Sequence, residues 1–194
     1  NGKRYQNYNF SFTEPWLGGK KPNSLSVSGF FSMFNTTGAK KYINDSEGNK
    51  ILNPNRSTMK ILGGSVGFGK RLKKPDDFFS IYTEASYNYY ELQNYPYFIL
   101  ANGYANDFNG KINITRNSVD APIFPKNGSN FSLLGQFTPP YSLLNGKDYS
   151  TLPIGEKYKF IEYQKYKFTA EWFTQLTNKK AGEGKEARNL VLRT

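Results

Sequence analysis

Apolar and polar residues alternate at every second position through almost the whole chain, and no stretch carries a helical period. In "YNFSFTE" the alternation puts Tyr8, Phe10 and Phe12 on one face, with Asn9, Ser11 and Thr13 on the other. "LSVSGFFSMF" sets Leu25, Val27, Phe31 and Met33 against Ser24, Ser26, Ser28 and Ser32. "FSIYTEASYNYY", "FNGKINITR", "NFSLLGQF" and the long "KFIEYQKYKFTAEWFTQL" repeat the pattern, "MKILGGSVGFG" repeats it more weakly, and a last strand begins near Asn189. Eight strands of an all-β antiparallel meander follow from this reading.

The connections between these strands sort by length. Segments 15–23, 70–77, 119–128 and 177–187 are short; segments 35–56, 91–107 and 139–155 are long. Alternate connections of a meander lie at the same end, so one end is compact and the other carries long polar loops. Transmembrane β-barrels have that asymmetry, and several strands reach the roughly 9–11 residues needed to cross a bilayer with tilt. Aromatic residues make up 17% of the chain, and mean hydropathy is only -0.68. Rings displayed outward at a lipid boundary account for that combination, and so does a soluble carbohydrate-binding sandwich. No apolar run approaches the ~18 residues of a transmembrane helix. The chain starts with no signal peptide and ends inside an apparent strand, so the expectation is a piece of a longer protein.

Candidate chemistry is sparse. With no cysteine and no histidine, thiolate sites, disulfides and a Ser–His triad are excluded. "GSVGFGKR", 64–71, has the glycines and lysine of a phosphate loop. Arg71 stands where Ser or Thr is needed, however, and a second strand follows in place of a helix. Glu84, Glu91, Asp107, Asp120, Glu162 and Glu171 are scattered, and Asp45, Glu47 and Asn49 only faintly follow a calcium loop. The net charge of +11 gathers at Lys20–Lys21, Lys70–Lys74 and 179–185, all in short turns. These read as solvated turns, with acidic partners or lipid headgroups as the specific alternative. No nucleic-acid partner is expected, because sheet alternation already accounts for the aromatics. No cofactor, no metal and no enzymatic activity are expected.

Two passages carry a resemblance. "FTEPWLGGKKPNSLSVSGF", with Pro15, Trp16, Gly18 and Gly19, looks like a strand turn of the BamA-type outer-membrane assembly factors in the form seen in Bacteroidetes. "ITRNSVDAPIFPKNGSNFSLLGQF" resembles a strand–turn–strand of the same superfamily, with Asn117, Asp120, Phe124, Pro125 and Gly128 as its turn motif. These nine residues are expected to be structural and to form no site. The resemblance implies that residues 1–194 are part of a sixteen-stranded transmembrane β-barrel, about its strands four to eleven, without POTRA domains, first and last strands or the Val–Arg–Gly–Phe loop. It further implies the outer membrane, assembly and insertion of β-barrel proteins without a covalent step, and three kinds of partner. Those are outer-membrane lipids, nascent outer-membrane proteins and accessory lipoproteins. The alternatives are another outer-membrane barrel, such as a porin or passive transporter, and the soluble carbohydrate-binding module.

Overall fold

The structure, a computed structural model, describes residues 4–19, 23–177 and 190–194. Alternation becomes a sheet of eight strands: β1 (Tyr5–Glu14), β2 (Asn23–Asn35), β5 (Thr58–Arg71), β6 (Phe79–Gln93), β7 (Gly103–Asn117), β8 (Gly128–Phe137), β9 (Gln164–Gln175) and β10 (Val191–Arg193). Each pairs antiparallel with the next in that order, and β1 and β10 stand at the two edges. Two short strands, β3 (Tyr42–Asn44) and β4 (Lys50–Leu52), form a separate ribbon inside the β2–β5 connection. Two single-turn helices, α1 (Tyr141–Leu144) and α2 (Ile154–Lys157), lie in the β8–β9 connection.

The ribbon explains the faint calcium spacing. Asp45 Oδ1 accepts the amides of Glu47 and Asn49 at 2.9 and 2.8 Å, so the carboxylate organises the β3–β4 turn. Likewise "GSVGFGKR" is simply the second half of β5.

Two expected connections are redrawn. The β6–β7 connection is only 94–102, because both strands keep pairing up to Leu92↔Gly103, beyond the point where their apolar alternation ends. It is therefore no longer than the 118–127 turn. The β8–β9 connection grows to 138–163, because residues 158–163 run beside β7 and do not join β9. Polar backbone pairing beyond the apolar band leaves no mark in hydropathy, which is why both boundaries escape the alternation. Lys20, Lys21 and the 179–185 lysines lie outside the described residues.

The register matches face to face across all strands. Phe12, Val27, Val66, Ala85 and Gly110 are successive Cα partners from β1 to β7, and Gly110 continues to Phe137 on β8. A one-residue slip would turn every ring to the other side, so the pattern pins the pairing. β5 lies low against its neighbours on the opposite face. A Cβ at Gly67 would overlap the Tyr82 ring, and one at Gly63 would overlap Phe30, so glycine lets these rings lie flat across the strand.

Candidate functional site: an apolar outer face and a polar inner face

The two sides of the sheet differ in chemistry. One side displays Phe10, Leu62, Val66, Phe108, Leu133 and Phe168 to the exterior; Phe10 and Phe168 are each 67% exposed. Among the described residues no chain segment covers these side chains, and the only buried apolar cluster is Leu92, Leu100 and Ala105. A water-soluble sheet cannot leave so large an apolar face bare.

The other side is polar and cross-linked by hydrogen bonds. Ser28 and Ser65 hydroxyls meet at 2.8 Å, and the Ser132 hydroxyl donates to Asn113 Oδ1 at 2.9 Å. Lys111 Nζ donates to Glu84 Oε1 at 2.9 Å, while the Tyr82 hydroxyl donates to Glu84 Oε2 at 2.7 Å. Asn109, only 2% exposed, accepts from Ser86 and from Gln136 Nε2 and donates to Asp107. This is how a water-filled lumen wall is lined: each strand alternates apolar-out and polar-in.

The scattered carboxylates are not brought together. Glu91 pairs with Lys60 at 2.7 Å, Glu171 with Arg193, and Glu162 accepts from the Ser142 amide and hydroxyl. Among the described residues no three acidic groups gather as metal ligands. Each carboxylate has its own donor, which suits wall-building better than acid–base chemistry.

The turn residues form two separate structures at the short-loop end. At the first, Glu14 closes β1, and the Gly19 amide donates to the Trp16 carbonyl at 2.8 Å. Gly18 and Gly19 have φ of 68° and 69°, which glycine adopts without strain. Trp16, beside Pro15, is 52% exposed. At the second, Asn117 and Asp120 act separately. Asn117 Oδ1 accepts the Val119 amide at 3.1 Å, and Asp120 Oδ1 accepts the Lys126 amide at 2.9 Å. The backbone amides of Lys126 and Asn127 hold the Asp120 carboxyl below its ordinary range. Phe124, next to Pro125, is 86% exposed with φ 55°, and Gly128 has φ 111°. A Cβ on Gly128 would overlap the Ser118 carbonyl. Arg116 ties this turn to the β5–β6 turn through Asp76 at 3.0 Å and lies over the Phe78 and Phe79 rings.

The long-loop end holds an arrangement that sequence reasoning missed. β8 stops at Phe137 opposite Gly110, leaving the upper half of β7 without its strand neighbour. Residues 158–163 lie there instead. The Asn106 amide donates to the Lys159 carbonyl and the Ile161 amide to the Asn106 carbonyl, both at 2.8 Å. Tyr158 and Ile161 pack on Leu92, Leu100 and Ala105. The strap is fastened where Tyr163 donates its amide to Thr138 Oγ1 at 2.8 Å and its hydroxyl accepts from Gln136 at 2.9 Å. The available signal was Asn106, a polar residue between Tyr104 and Phe108 on the apolar face of β7.

These features can be set beside known proteins. The crystal structure of BamA from Haemophilus ducreyi lacking POTRA domains 1-3 is similar, with a TM-score of 0.55 and 19% identity. The likeness covers 90% of this chain and 30% of that one, and it carries the barrel fold. No curated protein matches the chain. Residues 1–185 match the Omp85 superfamily domain. An eight-stranded meander, apolar outside and polar inside, is an arc of such a barrel's wall, and the chain belongs to the Omp85 superfamily of outer-membrane β-barrel proteins.

Proposed function

We propose that this chain is the wall of a BamA-type barrel, the central subunit that folds and inserts nascent β-barrel proteins into the outer membrane without a covalent step. The observation that supports this reading most is the two-faced meander within an Omp85 domain, similar along most of its length to a BamA barrel. In this reading residues 1–194 are about half of a sixteen-stranded barrel. The 15–19, 72–78 and 118–127 turns face the periplasm, and the 36–57, 94–102 and 138–163 loops face outward. The nine turn residues, among them Pro15, Trp16, Asp120 and Gly128, serve architecture.

The mechanism is physical. Every unpaired backbone group in hydrocarbon costs several kcal/mol, so a continuous ladder such as β1 to β9 resists opening. Opening and strand exchange then belong to a weaker seam elsewhere in the barrel, where an incoming strand finds partners for its amides and carbonyls. Nascent barrel proteins, outer-membrane lipids and accessory lipoproteins are the partners that go with this role. Depleting the full-length protein tests it. Heat-modifiable, folded outer-membrane barrels are expected to fall while outer-membrane lipoproteins stay constant. Unchanged barrel assembly with altered solute uptake would overturn the proposal in favour of a passive transporter.

A further inference from the structure

The apolar outer face is not uniformly filled with rings. Along β6 the outward positions shrink to Thr83 and Ala85, and the β7 partner of Ala85 is Gly110. Phe68, Ile112 and Phe137 stand around these three small residues and enclose a depression of about 340 Å³ whose lining is almost wholly apolar. A side chain two residues further along a strand lies ~7 Å away on the same face. Two residues beyond Phe68, towards the short-turn end, that position is Lys70.

Lys70 begins a group of three exposed lysines with Lys73 and Lys74 in the β5–β6 turn. The acids of that turn are already engaged: Asp76 by Arg116 at 3.0 Å and Asp77 by Arg71 at 3.7 Å. Among the described residues none of the three lysines belongs to an ion pair. An apolar depression inside the membrane band therefore ends, on the same strand, at uncompensated positive charge. The ligand that matches both parts has a hydrocarbon chain and an anionic phosphate head. A protein segment would match the depression but leaves the lysines unexplained.

We propose that this depression and the lysines beside it form a binding site for an anionic phospholipid of the periplasmic leaflet. One acyl chain lies over Thr83, Ala85 and Gly110, and the phosphate is held by Lys70, Lys73 and Lys74. The proposal rests on the orientation given above, with the apolar face in the bilayer and the short turns in the periplasm. Each lysine near an anionic surface strengthens binding about fivefold, so the group together favours an anionic over a zwitterionic head.

The test uses the full-length protein reconstituted in phosphatidylethanolamine vesicles with a minor share of phosphatidylglycerol, then native mass spectrometry of retained lipid. The wild type is expected to retain phosphatidylglycerol preferentially. Lys70→Gln/Lys73→Gln/Lys74→Gln is expected to lose that preference, with retention lower on the order of a hundredfold. Ala85→Phe, which fills the depression, is expected to lower retention of both lipids. Heat-modifiable migration reports folding of each variant; the lysine variant alters only exposed positions, and Thr83→Leu replaces Ala85→Phe where the latter fails to fold. Unchanged retention in the lysine variant, or in the folded depression variant, overturns the site. So does competition by soluble glycerophosphoglycerol as strong as by the lipid, because it leaves the depression no part. Assembly activity is read separately on the wild type, so loss of the assembly role leaves the lipid result standing, and the reverse.

Discussion

Gly128 and Asp120 show how much of a membrane wall depends on single turn residues. Gly128 sits at φ 111° with no room for a Cβ against the Ser118 carbonyl. Gly128→Ala is expected to lower barrel stability by about 1–3 kcal/mol, read as a lower midpoint of heat-modifiable unfolding. Asp120 makes a different prediction, about pH. Its carboxylate accepts turn amides, so its folded pKa lies below the ordinary 3.8. A depressed carboxyl contributes order above its unfolded pKa and loses that contribution as pH falls through the folded value. The Lys126 amide resonance should therefore hold its position from neutrality down to about pH 4 and move only in stronger acid. Asp120→Asn should abolish that acid transition; a Lys126 shift centred near neutrality would contradict the assignment.

The strands were legible wherever one face had to be apolar. Phe10, Val27, Val66, Ile112 and Phe168 alternate with polar neighbours, and burial of one face imposes that period. The turn at 118–128 was legible too, although spacing alone did not reveal that Asn117 and Asp120 bond to different amides. What stayed illegible depends on backbone pairing. β6 and β7 run past their apolar stretch, and residues 158–163 replace a missing strand through Asn106 rather than through any periodic pattern. The strap carries its own prediction. Tyr163→Phe with Thr138→Val removes the Tyr163 hydroxyl bond to Gln136 and the amide bond to Thr138. Each hydrogen bond contributes about 1 kcal/mol, so exchange of the Asn106 and Ile161 amides should quicken on the order of tenfold or more. Amides of β7 between Gly110 and Asn117 should not change, since β8 still covers them. Faster exchange along the whole of β7 would mean that the strap supports the wall generally and is no local fastening.

At the scale of the whole molecule, the apolar side of this sheet faces lipid and the polar side faces an aqueous lumen. Hydrogen bonds among Glu84, Lys111, Tyr82, Asn109 and Gln136 make sense only on a wet inner wall, and exposed Phe10, Leu62 and Phe168 only in hydrocarbon. The loop cluster of Leu92, Leu100 and Ala105, with Tyr158 and Ile161 packed on it, then lies on the lumen side at the loop end, because Leu92 and Ala105 share the polar face of their strands. The most direct measurement is paired cysteine labelling of the full-length protein in native outer membranes. Single cysteines are placed at Val27, Val66, Ile112 and Phe168 on one face and at their neighbours Ser28, Ser65, Asn113 and Thr169 on the other. A lipid-soluble quencher should reach fluorophores only on the first set, and a small water-soluble thiol reagent should modify only the second. Equal access to both sets, or the reverse pattern, would contradict the two-faced wall on which the proposed role is built.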